Sequence, residues 1–207
     1  MMNRATLSQY YEILTLLRDG PLGRRTLVAR STITESTVRT HLRRLEQHGY
    51  VRSDKQGTAM TDSARQAFSE LLSRVTLLPE PVLTEISVDS STAAALVSEA
   101  GSQLQQSVRY RDDAVRGGAT GAVLLTFSDG RWYFSDSTSP LMEGYPQDGA
   151  AIDRLLESAR IRPRFNDGLL LSFGPTQAVA ASGLWSIIAT LISGVPSSHP
   201  LHIGTGE

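Results

Sequence analysis

The stretch Thr32-Ile33-Thr34-Glu35-Ser36-Thr37-Val38-Arg39-Thr40-His41-Leu42-Arg43-Arg44-Leu45-Glu46-Gln47-His48-Gly49, followed by Tyr50-Val51-Arg52, reads as a helix that exits into a strand. Thr34 can serve as N-cap, Glu35 complements the positive end of the helix dipole, and Ile33 can staple against Val38. Gly49 supplies the left-handed residue that ends the helix. Val38, Leu42 and Leu45 recur at i, i+4 and i+7 and form one narrow apolar stripe. The other side, with Ser36, Arg39, Thr40, Arg43, Arg44 and Gln47, must then face solvent or a ligand. Such residues suit a major groove: arginine donates bidentately to guanine, glutamine pairs with adenine, and short hydroxyls near the helix start allow close approach. Ser36, Thr37, Arg39, Thr40, Arg43 and Gln47 are therefore the candidate base-reading residues. The competing reading is an amphipathic surface helix whose arginines are merely solvated.

The flanking sequence favours the first reading. Upstream, Tyr10, Ile13, Leu14 and Leu17 give a helical stripe that stops at Asp19-Gly20-Pro21. A short second helix is predicted over residues 22–29, and Arg30-Ser31-Thr32-Ile33 has the tight length of a helix-turn-helix corner. Downstream, Tyr50-Val51-Arg52 and Thr58-Ala59-Met60 flank a polar turn, residues 53–57, that suits a hairpin. Thr61 or Ser63 can cap a fourth helix running to about Leu72 or Val75. Three helices, a hairpin, the run Leu45-Glu46-Gln47-His48-Gly49-Tyr50-Val51 and the step Met60-Thr61-Asp62-Ser63-Ala64 resemble the winged-helix domain of prokaryotic transcription regulators. The resemblance implies double-stranded DNA as partner, although some winged helices bind only proteins or RNA.

Charge is divided along the chain. The whole carries a formal net charge of −1, but residues 1–78 hold 12 Lys plus Arg against 7 Asp plus Glu, a balance of +5, and residues 79–207 hold 8 against 14, a balance of −6. A basic first third on an acidic remainder fits a DNA-binding head attached to a different kind of domain. Arg24, Arg25, Arg44, Arg52 and Lys55 are the candidate phosphate contacts.

With 207 residues, 40% hydrophobic and 20% charged, the chain can bury two small cores. It has no cysteine, which excludes disulfides, thiolate metal sites and cysteine nucleophiles. The start Met1-Met2-Asn3-Arg4 leads into an amphipathic pattern, so no secretory signal is predicted. The apolar stretch 178–192 is interrupted by Ser182, Gly183, Ser186 and Thr190 and falls short of the ~20 residues of a membrane span. It reads as a buried or dimer-forming helix, and the expected location is the cytoplasm, with no membrane partner.

Pro79-Glu80-Pro81 suggests a boundary, giving a winged helix-turn-helix domain over 1–78, an α+β domain over 79–195 and a loose tail over 196–207. In the second part, residues 82–88 and 92–98 read as strands and 105–115 as a helix whose stripe, Val108, Asp112 and Val115, is imperfect. Residues 121–127 and 131–134 around Ser128-Asp129-Gly130 form the clearest hairpin. A helix over 150–159, a buried strand over 168–173 and a final helix over 176–192 complete an α+β sandwich with a mixed or antiparallel sheet. The segments Arg111-Asp112-Asp113-Ala114-Val115, Gly118-Ala119-Thr120-Gly121-Ala122 and Gly174-Pro175-Thr176 resemble an archaeal two-domain family. In that family a winged helix precedes a C-terminal domain of unknown function, number 4443, and the resemblance implies no activity.

Three features of the second part can be read as ligand sites. Gly174, Thr176 and Gln177 stand at a strand-to-helix junction whose amides suit a small anionic effector, against the plainer reading of a capped core helix. Arg160, Arg162 and Arg164 alternate and can present three guanidinium groups to a phosphate or carboxylate, or simply be solvated. Arg111, Asp112 and Asp113 precede Gly117-Gly118-Ala119-Thr120-Gly121, glycines that suit a helix cap or a ligand loop. Catalysis lacks a nominee: His199-Pro200-Leu201-His202 lacks supporting carboxylates for a metal, and neither a GxxxxGK run nor a GxSxG elbow is present. No cofactor is expected.

The sequence therefore predicts a DNA-binding transcription regulator, not an enzyme. Homodimerisation is expected because one winged helix reads only a few base pairs. The first alternative is an enzyme with an autoregulatory winged helix. Archaeal CTP-dependent riboflavin kinases are built that way, though on a β-barrel that the predicted helices oppose. The second alternative is a protein-interaction adaptor.

Overall fold

The structure, a computed structural model, describes residues 4–193. The head comprises α1 (Arg4–Leu16), α2 (Arg24–Arg30), α3 (Glu35–Gln47), the hairpin β1 (Val51–Asp54) and β2 (Gly57–Met60), and α4 (Asp62–Leu72). Helix α2 starts two residues later than the sequence suggests, because Leu22 pairs with Thr58 of β2 through reciprocal backbone bonds of 2.9 Å and adds a third strand position to the wing. Gly57 permits this: at φ 128, a Cβ there would stand 2.7 Å from the Leu22 carbonyl oxygen. Thr61 is the N-cap of α4, its hydroxyl accepting from the Ala64 amide.

The body is a five-stranded antiparallel sheet in the order β3-β4-β7-β5-β6, formed by β3 (Val75–Leu78), β4 (Ser91–Val97), β5 (Gly121–Ser128), β6 (Arg131–Phe134) and β7 (Gly168–Gly174). Its helices are α5 (Gly101–Leu104), α6 (Ser107–Arg116), α7 (Leu141–Gly144), α8 (Pro146–Ser158) and α9 (Gln177–Ser193). Side chains alternate across the sheet. Ala93, Ala95, Leu124 and Leu170 face the core shared with α9, whereas Ala94, Leu96, Leu125, Leu169 and Leu171 join Ile152 and Leu156 of α8. Strand β7 is buried along its whole length, as its near-continuous apolar run requires. In the β5–β6 hairpin, Asp129 and Gly130 both have positive φ, 50 and 76, the two-residue turn that matches strand twist.

Several sequence expectations are corrected. Val75 does not extend the fourth helix: residues 75–78 form β3 and pair with β4, so the first strand of the body's sheet lies before Pro79. The predicted strand at 82–88 is irregular chain, because its amides are taken by a carboxylate. The buried Asp148 side chain accepts from the backbone of Thr84, Glu85 and Ile86 at 2.7–2.8 Å, and Glu85 in return accepts from the Gln147 and Asp148 amides at the start of α8. The helix predicted over 105–115 is α6 preceded by a separate turn, α5. On α6 the buried residues are Ser107, Tyr110, Asp113 and Ala114, while Val108 and Val115 point to solvent.

Head and body share one core. Leu7, Tyr11, Ile13 and Leu14 of α1 belong to the same cluster of buried residues as Leu184, Trp185 and Ile188 of α9. The Tyr11 ring lies 5.6 Å from that of Trp185 and 6.4 Å from that of Phe68 on α4, so three aromatics join α1, α4 and α9. The small residues of α9 let it lie close: a Cβ at Gly183 would collide with Ala119 and Ser172. Helix α9 is thus the central core helix rather than an exposed dimer surface. The tail and His199 and His202 lie outside the described residues.

Candidate nucleic-acid interface

Helix α3 is fixed at both ends by its own sequence. Thr34 Oγ1 accepts from the Thr37 amide at 3.4 Å and meets the Thr37 hydroxyl at 2.9 Å. At the other end Gly49 adopts φ 72, and the Tyr50 amide closes on the Leu45 carbonyl at 2.8 Å, the six-to-one bond of a glycine-terminated helix. Glu46 then accepts from the Ser53 amide at 3.2 Å and ties the helix end to β1. Val38, Leu42 and Leu45 are buried, as their spacing requires.

The opposite face is open. Ser36, Arg39, Arg43, Arg44 and Gln47 are exposed, and Arg52 and Lys55 are exposed on the wing beside them. Thr37 and Thr40 are half-buried at the flank, Thr37 engaged by the cap and Thr40 donating to the Ser36 carbonyl at 3.0 Å. Arg24 is exposed and lies 3.4 Å from Glu35, and Arg25 is exposed beside it. Among the described residues, Arg25, Arg39, Arg43, Arg44, Arg52 and Lys55 have no carboxylate partner. A helix face whose arginines form no ion pair among the described residues, flanked by Arg52 and Lys55 of the hairpin, can meet phosphates and base edges.

Two buried titratable groups stand behind this face, and neither was singled out by the sequence reading. His41 completes the inner stripe of α3: its Nε2 lies 2.7 Å from Gln9 Oε1 of α1, and its ring meets Tyr10 edge-on at 4.8 Å. Burial, helped by the Arg44 charge, lowers its pKa to about 4, so the ring is neutral at pH 7, with Nε2 the donor toward Gln9. Glu12 on α1 accepts from the Thr32 amide at 3.1 Å, in the turn that leads into α3. Burial raises its pKa to about 7, while the Thr32 amide and the nearby Ser182 hydroxyl of α9 pull it partly back. Among the described residues its Oε2 finds no well-aligned hydrogen bond. The signal for His41 was available, since it lies three residues after Val38 and four before Leu45. Glu12 interrupts an apolar run and carried no such signal.

The ligand features of the body are dispersed. Gly174 and Thr176 form a structural junction: a Cβ at Gly174 would stand 2.8 Å from the Val179 side chain, and Thr176 Oγ1 accepts from the Val179 amide at 3.4 Å, with Gln177 exposed at the helix start. Arg160, Arg162 and Arg164 are all exposed and precede the opposite end of β7, about 20 Å away for a strand of this length. The two sets do not form one anion site. Asp113 is occupied by the Thr190 hydroxyl at 2.8 Å and by Arg116 at 3.1 Å, while Gly118, at φ 99, follows the end of α6.

A third helix with one exposed cationic face and a two-stranded wing, extended by the Leu22–Thr58 bridge, make the head a winged helix-turn-helix, set on an antiparallel α+β body. Residues 6–75 match the model of the CggR N-terminal DNA binding domain. Residues 88–191 match the domain of unknown function DUF4443, and the chain belongs to that family. The solved structure of hypothetical protein PH0730 from Pyrococcus horikoshii OT3 is similar, with a TM-score of 0.69 and 23% identity over 94% of this chain and 98% of that one. It shares the fold across both parts. No curated protein matched.

Proposed function

We propose that this protein is a sequence-specific transcription regulator, working in the cytoplasm, that inserts α3 into the major groove and lays the wing along the backbone. The carrying observation is the exposed row Ser36, Arg39, Arg43 and Gln47, whose two arginines have no ion-pair partner among the described residues, flanked by Arg52 and Lys55. Steps of three and four residues keep this row on one side of the helix, the width a groove admits. The match of the head to a DNA-binding domain supports the reading. The body acts as a dimerisation and effector-sensing domain, not as an enzyme. Two copies related by a two-fold axis read half-sites about one helical turn apart, through a surface other than the buried α9.

Selection of duplexes from a random pool by the full-length protein, followed by a salt titration of the enriched site, tests the proposal. Expected are an inverted repeat and a log-log slope corresponding to several neutralised phosphates. Failure to enrich any sequence, or binding insensitive to salt, would overturn it and favour a protein-interaction adaptor.

A further inference from the structure

A cleft of about 660 Å³ opens in the body between α5, the β5–β6 hairpin and the turn before β7, far along the chain from the DNA-facing residues. Sheet register decides which aromatic rings can serve it. Thr126 is opposite Tyr133, whereas Phe127 is opposite Trp132 and Leu125 opposite Phe134. Phe127 packs on Trp132 at 5.0 Å, and both Phe127 and Phe134 lie partly buried against the core that includes Ile152 and Leu156 of α8, with Phe134 also 5.6 Å from the exposed ring of Tyr145. Tyr133 therefore faces the cleft side, while Phe127 and Phe134 only border it.

At the rim stands Phe165, a phenylalanine left 76% exposed. Its backbone is pinned on both sides. Asn166, at φ 67, donates its amide to the Phe127 carbonyl at 2.9 Å and accepts from the Ser102 amide through Oδ1 at 2.8 Å. Asp167 accepts from the Glu99 and Arg164 amides at 3.2 and 2.8 Å. A large apolar ring held in water by an ordered turn is a stacking platform without its stack.

The polar lining specifies the rest. Ser135 Oγ is buried and has no hydrogen-bond partner among the described residues. Gln105 and Thr138 have side chains with no hydrogen bond among the described residues, and the Asn166 amide nitrogen remains a donor beside them. Among the described residues neither lysine nor arginine lines the cleft, and the one carboxylate in its lining is Asp129. A phosphate would meet only negative charge there, whereas a planar ring with donor and acceptor edges and a hydroxylated substituent finds both stacking and hydrogen bonds.

We propose that this cleft binds an uncharged nucleoside, its base stacked on Phe165 and Tyr133 and its edges read by Gln105, Asn166 and Ser135. The assignment stands independently of DNA binding by α3. Isothermal titration of the full-length protein with adenosine, guanosine, cytidine and uridine, and with their 5′-monophosphates, tests it. Expected is saturable one-to-one binding of at least one nucleoside, weaker binding of its monophosphate, and a loss of about fivefold to 100-fold in Phe165→Ala, the range that base–aromatic stacking supplies. Phe165 is exposed, so that variant keeps the parent melting temperature. No saturable binding by any of the four nucleosides, tighter binding of a monophosphate, or unchanged affinity in Phe165→Ala would each overturn the proposal.

Discussion

The two sides of α3 have opposite chemistry. Outward it presents arginines with no ion-pair partner among the described residues; inward it presents a neutral histidine held by Gln9, and the turn before it rests on a buried carboxyl. The first surface is left open, while the second is completed by the chain itself. Because Tyr11 and Glu12 lie on α1, which packs on α9 and also holds His41 and the turn before α3, the exposed face of α3 is tied to the body through α1. The head is not a module on a flexible tether.

The largest expected effect is at the aromatic junction. Trp185→Ala removes the ring that meets both Tyr11 and Phe68 and should cost about 3–5 kcal/mol, with head and body still unfolding in one transition. Calorimetry that showed a separate, unchanged melting of the head would break the shared-core account.

Next is Glu12→Gln. Glu12 has its folded pKa raised to about 7, so its contribution to stability is full below the ordinary carboxylate range and is lost as pH rises through about 7. His41, lowered to about 4, behaves oppositely: its contribution is present above the ordinary imidazole value and is lost as pH falls through about 4. Between these limits the two slopes offset one another. The amide of Glu12→Gln still accepts from Thr32 but cannot ionise. The variant should therefore gain on the order of 2–3 kcal/mol over the parent at pH 8, with little difference at pH 4. Denaturant titrations at both pH values decide this, and a difference independent of pH would show that Glu12 does not titrate near neutrality.

The smallest effect sharpens the contrast from the outer side. Lys55→Ala on the wing should leave the melting temperature unchanged and lower the salt slope of DNA binding by about one. An unchanged slope would remove Lys55 from the backbone contact.

What was legible in the sequence was local. The Thr34 cap, the left-handed Gly49 and the Val38, Leu42, Leu45 stripe each act within a few residues, and together they gave α3 and its exit into the wing. The Asp129-Gly130 turn likewise needs only its own backbone preference. What stayed hidden depends on partners distant in sequence. Residues 82–88 alternate well enough to suggest a strand, but their amides are taken by Asp148 more than 60 residues later. The second buried side of α1 is defined by α9, and the outward turn of Val108 and Val115 is set by how Tyr110 and Asp113 pack. The candidate DNA-facing residues were legible as a pattern because exposure is the complement of an apolar stripe. Their freedom from internal ion pairs needed coordinates.

The most direct measurement compares the parent with Arg39→Ala/Arg43→Ala on the selected duplex by fluorescence anisotropy, with the melting temperature of each recorded. Two lost contacts of about 1–3 kcal/mol each predict an affinity reduced at least tenfold, reduced discrimination against unrelated DNA, and an unchanged melting temperature. Equal affinity and equal discrimination in the double variant would contradict the assignment of α3 as the reading helix.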